Sequence, residues 1–188
     1  MVSVNDTLVS TNKEVTIREL LNMTSGIVYP GDNTLSEKQM GTVFSNYIEN
    51  TRKGKYGTTY EFCNQMGECA LAFQPGEQWL YGASADVLGA VVEVVSGKKF
   101  GEFLKEEFFE PLGMVDTDFY VPADKLDRFA QNYIFSEEEN KLVPYDGDNL
   151  ALIDFTRKPE FESGGAGLVS TINDYSKFAL MLLNEGVY

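Results

Sequence analysis

Tyr81 follows Gln74-Pro75-Gly76-Glu77-Gln78-Trp79-Leu80 and opens the run Tyr81-Gly82-Ala83-Ser84-Ala85-Asp86-Val87-Leu88-Gly89. Pro75-Gly76 is a turn dipeptide, and the aromatics Trp79 and Tyr81 then lead into an apolar helical pattern. That order of residues can hold a phenol at a helix entrance, facing a cleft. An ordinary phenol has a pKa of about 10, so it is a useful base near neutrality only where its surroundings favour the phenolate by roughly 3–4 kcal/mol. Gly82, Ala83 and Trp79 stand beside the phenol in sequence and are the candidate lining of such a cleft.

Other reactive side chains are less well placed. Two Ser-x-x-Lys strings occur, Ser10-Thr11-Asn12-Lys13 and Ser96-Gly97-Lys98-Lys99. A nucleophilic pair of this kind needs serine at a helix start, so that lysine one turn later lies beside its hydroxyl. Ser96 instead precedes a helix-ending glycine, and Ser10 lies in a polar stretch before a helix begins. Cys63 and Cys69 are too far apart for a common zinc pairing, and the chain has 0 histidines to complete a site, so no metal is expected. They form either a small disulfide-closed loop or two free thiols. Ser163 to Gly167 lacks the lysine and following Ser/Thr of a phosphate loop. Its glycines read as positions of close backbone approach.

With 188 residues and 43% hydrophobic content, the chain can bury one good core. Its 13 phenylalanines and 10 tyrosines argue against disorder. A net charge of −14 with no basic cluster argues against nucleic acid or an anionic membrane as partner. No apolar run approaches the roughly 20 residues that span a bilayer. Met1-Val2-Ser3-Val4-Asn5-Asp6 has neither a basic start nor an apolar stretch, which leaves the compartment open.

The elements that must position Tyr81 are mostly helical. Thr16-Ile17-Arg18-Glu19 is a capping box that opens a helix ending near Met23, and Ser36-Glu37-Lys38-Gln39 repeats the pattern. Met40, Val43, Phe44, Tyr47 and Ile48 then form one apolar stripe, on a helix stopping before Gly54. Residues 53–70 read as an irregular loop. A helix over Ser84–Ser96 is predicted to turn Val87, Leu88, Val91, Val92 and Val95 inward and to stop at Gly97. The next runs from Phe100 to Phe109, closed by Pro111. Residues 123–150 are polar and acidic, with turns and short strands. The last helix starts after Thr171, with Asp174 as its third-position carboxylate, and ends before Gly186. Asp116 and Thr117 read as turn formers.

The Tyr81 block resembles the tyrosine motif of the serine β-lactamase and penicillin-binding-protein family, in its class C and esterase-like branch. Three further blocks, in the family's order, are similar to it: Val15 to Ile27 around Met23-Thr24-Ser25-Gly26, Phe108 to Thr117 around Pro111-Leu112-Gly113-Met114, and Gly164 to Tyr175. The resemblance implies that Tyr81 shuttles protons to and from a serine that forms an acyl-enzyme, with no cofactor. That serine belongs to a Ser-x-x-Lys upstream of the first block, and a Lys-Thr-Gly or His-x-Gly follows the last; neither is present. The chain therefore reads as an internal fragment, with residues 1–188 a single, mainly α domain: the helical insert, with a few short strands, of a larger α+β fold. The expected partners are a small ester, amide or peptide substrate and the rest of its own α/β domain.

Ala83 departs from the family's Tyr-x-Asn. Alanine cannot hydrogen-bond a β-lactam side-chain amide, which favours an esterase or D-peptidase over a β-lactamase. The alternative is a non-catalytic domain of the same fold that binds peptidoglycan fragments or a protein partner. A free-standing helical interaction module explains the apolar stripes but not the four ordered blocks.

Overall fold

The computed structural model describes residues 1–145 and 154–187. The chain opens with a hairpin, β1 (Val2–Val4) and β2 (Thr7–Val9), antiparallel with Val2 opposite Val9. Its turn is Asn5-Asp6, both at positive φ, a conformation that these two residue types tolerate better than most. Nothing in the alternation of so short a segment announces it. The hairpin is tied down by Ser3, whose N–H donates to the Leu71 carbonyl at 2.8 Å.

Helix α1 (Ile17–Leu21) begins at the Thr16 capping box as the sequence predicts. Helix α2 (Leu35–Arg52) begins two residues earlier than Ser36 would have it. Thr34 is the cap, because Glu37 returns its carboxylate to the Thr34 N–H at 3.0 Å and also takes the Asn33 N–H. Gln39, the rival third-position partner, is drawn off to accept from Ala70 N–H at 2.7 Å. The expected loop over 53–70 contains a helix, α3 (Thr59–Gly67), with its own capping box between Thr58 and Glu61. Its length hides it: Phe62 and Met66 are its main inward anchors, too few to set a period.

Helix α4 (Ser84–Ser96) has the predicted limits, with Gly97 left-handed at its C-terminus. Val95 is 79% exposed, so the predicted inward face is corrected. The deeply buried positions are Ser84, Asp86, Gly89 and Ala90: Ser84 and Asp86 hydrogen-bond Ser25 and Ser163, and the Phe100 ring packs over Gly89. Val87, Leu88 and Val91 pack half-buried on the core. After α5 (Phe100–Leu104) the helix runs through Pro111 rather than ending before it. One π turn, Lys105–Phe109, widens the coil ahead of the proline, and α6 (Glu110–Leu112) ends at left-handed Gly113.

A short 3₁₀ turn (Ala123–Arg128) precedes the second hairpin, β3 (Tyr133–Ser136) and β4 (Lys141–Pro144), antiparallel with Tyr133 opposite Pro144. Residues 146–150 of the polar region lie outside the described residues. Helix α7 (Ile172–Leu183) closes the chain, capped by Thr171.

The core is largely aromatic. Phe62 lies at its centre, with ring centroids 4.6 Å from Tyr47, 4.7 Å from Phe161 and 5.1 Å from Phe44. Met40, Met66, Leu20, Ile27, Val28 and Ala83 complete it. It joins the first four helices to the segment leading into α7, and so brings residues 161–167 against α4.

Candidate active site

Two loops carry the site, residues 23–29 after α1 and 74–83 before α4. They are laced by backbone hydrogen bonds: Gly76 N–H to Thr24 carbonyl at 2.8 Å, and Leu80 N–H to Met23 carbonyl at 2.9 Å. Gly82 lies so close to the other loop that a Cβ there would stand 2.1 Å from the Ile27 carbonyl oxygen. The Ser25 and Ser84 hydroxyls meet at 2.8 Å, and Ser25 Oγ also accepts from Ile27 N–H at 3.1 Å. The lacing fixes the backbone on both sides of Tyr81.

Of the four residues singled out in the sequence, two reach solvent: Tyr81 is 58% exposed and Trp79 67%. Gly82 and Ala83 are buried; Ala83 is the residue before α4 and its methyl joins the core. The Tyr81 ring lies 5.8 Å from that of Tyr29, in a tilted pair that sequence reading did not foresee. The Tyr29 hydroxyl is pushed up to about 12, by burial first, then by the Asp86 carboxylate and the Tyr81 phenol.

Asp86, one turn into α4, was also missed. Its Oδ1 accepts from the Ser163 hydroxyl at 2.6 Å and from Gly165 N–H at 3.1 Å. Burial raises its pKa, and those two hydrogen bonds only partly offset the rise. The glycine loop lies against the first turn of α4. A Cβ at Gly164 would meet the Ala85 carbonyl oxygen at 2.2 Å, and one at Gly165 would meet the Tyr29 hydroxyl at 2.9 Å. Beside it, Glu162 is buried and raised for the same first cause; it accepts from Gly101 N–H at 2.6 Å. A carboxylate on the inward side of an apolar helix was the available sign of Asp86.

The two Ser-x-x-Lys strings do not assemble. Ser96 Oγ donates to the Val92 carbonyl at 2.7 Å, while Lys99 pairs with Glu160. Ser10 is exposed and Lys13 pairs with Glu19. Cys63 and Cys69 are both free thiols. Cys63 is pushed up to about 12 by burial and then by Asp86 and Glu93, so it is no thiolate nucleophile. A cavity of about 120 Å³ lies elsewhere, between the 3₁₀ turn and the start of α7, lined by Asp116, Lys125, Arg128 and Thr171 among others. Asp116 and Thr117 lie there, in a polar junction away from Tyr81.

What the arrangement offers is an exposed phenol on a laced loop, with a second phenol beside it that lies in turn against the glycine loop. The family model described as Beta-lactamase matches residues 4–187. The chain is 30% identical over 151 residues to penicillin-binding protein 4* of Bacillus subtilis, covering 71% of this chain and 31% of that protein. It is 33% identical over 125 residues to esterase EstB of Burkholderia gladioli, covering 61% and 31%. Its backbone is similar to that of EstCE1, a hydrolase with promiscuous acyltransferase activity, at a TM-score of 0.71, with 22% identity and coverage of 93% of this chain and 47% of that one. At that identity the likeness is one of fold. The chain thus spans less than half the length of each of these proteins.

Proposed function

This chain belongs to the β-lactamase family of serine hydrolases, and from that premise we propose that it is the tyrosine-bearing, helical part of an acyl hydrolase acting on small esters, amides or peptides. The observation that carries the reading is Tyr81 itself, exposed on a loop held at both ends by backbone contact, in a block that resembles the family's tyrosine motif. In the whole protein, a serine from a flanking segment attacks the carbonyl carbon, and its proton passes to the Tyr81 oxygen. The acyl-enzyme forms as the leaving group takes a proton back, and water or another acceptor then releases the acyl group. Basic groups from the flanking segments favour the phenolate.

The esterase and D-peptidase classes fit better than β-lactam hydrolysis, because Ala83 supplies no amide at the third motif position and its methyl is turned into the core. We assign the exposed apolar side chains of α7, Ile172, Leu180, Leu182 and Leu183, to contact with the rest of the same polypeptide. On this reading the chain alone is inactive.

The test is hydrolysis of p-nitrophenyl acetate and butyrate by the whole protein, with nitrocefin as the comparison. Ester turnover should exceed nitrocefin turnover, and Tyr81→Phe should lower kcat by about 10²–10⁴-fold. The isolated chain should gain no mass from a fluorescent penicillin. A stoichiometric adduct on it would overturn the inactive-fragment reading, and a folded but inert whole protein would favour a binding role.

A further inference from the structure

Asp86 is 4% exposed, and the groups near its carboxylate are neutral: the Ser163 hydroxyl, the Gly165 N–H and the Tyr29 phenol, while the Cys63 thiol donates to its backbone carbonyl at 3.4 Å. Asparagine could accept the same two hydrogen bonds without carrying a desolvated charge, so the acceptor oxygen is what the loop uses. Uncompensated buried charge of this sort gathers at functional sites more than in structural junctions. Both bonds end on one loop. Ser163 passes the constraint on, since its Oγ also accepts from Ala166 N–H at 3.1 Å. Gly165 is wedged between two side chains, and a Cβ there would lie 3.0 Å from Asp86 Oδ2 and 2.9 Å from the Tyr29 hydroxyl. Tyr29 in turn packs against Tyr81 in a tilted ring pair. A continuous line of contact therefore runs Ser163, Asp86, Gly165, Tyr29, Tyr81.

We propose that Asp86 is a positioning residue: it fixes the backbone of residues 163–167 against α4 and, through Gly165 and Tyr29, sets the wall of the Tyr81 cleft. The inference rests on the acyl-hydrolase reading for its catalytic consequence, but not for its effect on the loop. Asp86 touches no reacting atom. It acts by where it holds the loop, and displacements of about 1 Å at such a wall cost up to 10²-fold in rate.

The experiment compares the whole protein with Asp86→Ala, Asp86→Asn and Ser163→Ala, using p-nitrophenyl butyrate and, in parallel, hydrogen exchange of the 160–170 segment. Asp86→Ala should lower kcat at least about tenfold while the protein remains folded, with faster exchange in that segment. Asp86→Asn keeps an acceptor oxygen and should recover most of both. Ser163→Ala, which removes one of the two bonds, should fall between, and it replaces Asp86→Ala if that variant does not fold. Equal losses in the alanine and asparagine variants, or a folded Asp86→Ala with unchanged kcat and exchange, would overturn the proposal. If wild type hydrolyses nothing, the acyl-hydrolase reading has failed, and exchange alone decides: acceleration in Asp86→Ala that Asp86→Asn restores supports the positioning role, and no acceleration sinks it.

Discussion

Residues 162–174 are held to the rest of the molecule at two junctions built from the same side-chain chemistry and used in opposite ways. At the first, Asp86 and Glu162 are buried with hydroxyl and amide donors, and burial raises both pKa values. At the second, carboxylates meet cations. Asp116 pairs with Lys125 at 2.7 Å and Arg128 at 2.9 Å, hydrogen bonds that hold its pKa down at about 2. Asp174, fully buried, accepts from Asp116 N–H at 2.6 Å and from the Thr117 hydroxyl at 3.2 Å, and pairs with Lys177 at 3.1 Å. The compensated junction is what a fold needs to hold its last helix. At the first, Asp86 has no cation among its hydrogen-bond partners and reaches Tyr81 only through Gly165 and Tyr29, and its acceptor oxygen is explained better by the position of the loop than by stability.

The comparison breaks first at the glycines. Gly82→Ala and Gly164→Ala each press a methyl to about 2 Å from a carbonyl oxygen, with backbone on the far side that cannot step away. Each should cost more than about 3 kcal/mol, read as a loss of most of the urea midpoint. Gly67→Ala, where a Cβ meets nothing within 4 Å, is the control and should be neutral or slightly stabilising. Tolerance of Ala at 164 would mean that the loop is not seated on α4, and the first junction would lose its meaning.

Next in size is Asp174→Ala. It strips three partners from a buried carboxylate, so about 3 kcal/mol is expected, at the low end for a broken buried pair because Lys177 stays partly exposed. Asp86→Asn should cost clearly less, because its partners keep an acceptor. Equal costs would make the two junctions alike.

Their pH dependence should also have opposite sign. Asp116 has a folded pKa below its unfolded value of about 3.9, so its contribution is present above that value and lost as pH falls towards 2. Asp116→Asn should therefore be less stable than wild type at neutrality and nearly equal to it in acid. Asp86 is raised, so its favourable share is present below about pH 4 and lost as pH rises through the folded pKa. Asp86→Asn should gain on wild type between pH 4 and 8. Urea midpoints from pH 2 to 8 test both; parallel curves for the two variants would remove the contrast.

How far the sequence revealed all this depended on distance along the chain. The ends of α4 were legible because Gly97 and the apolar run are local, and so were the Thr16 and Thr171 caps, whose partners lie three residues away. Thr58 and Glu61 made as good a capping box, but α3 behind it was too short to declare a period. Tyr81 was singled out by its motif, and it lies exposed just before α4. Asp86 was not, since its partner Ser163 lies 77 residues downstream, and only the folded core brings them together.

Thr171→Ala should have the smallest effect, and it tests the second junction from its edge. Thr171 Oγ1 accepts from Asp174 N–H at 3.2 Å, the ordinary role of an N-cap. Its removal should cost about 1 kcal/mol, within the 0.5–2 kcal/mol usual for such caps. Besides the Lys177 contact with the Gly113 carbonyl and the Phe108–Phe178 ring pair, helix α7 buries only Asp174 and Met181, while Ile172, Leu182 and Leu183 face out. The lost cap should therefore appear as faster hydrogen exchange confined to the first turns of α7. If the outer face of α7 is covered in the whole protein, the same substitution there should leave that exchange slow. Equal fraying in both would mean that nothing further packs on α7, and Asp174 with its partners Asp116 N–H, Thr117 and Lys177 would be the principal hold on the last helix.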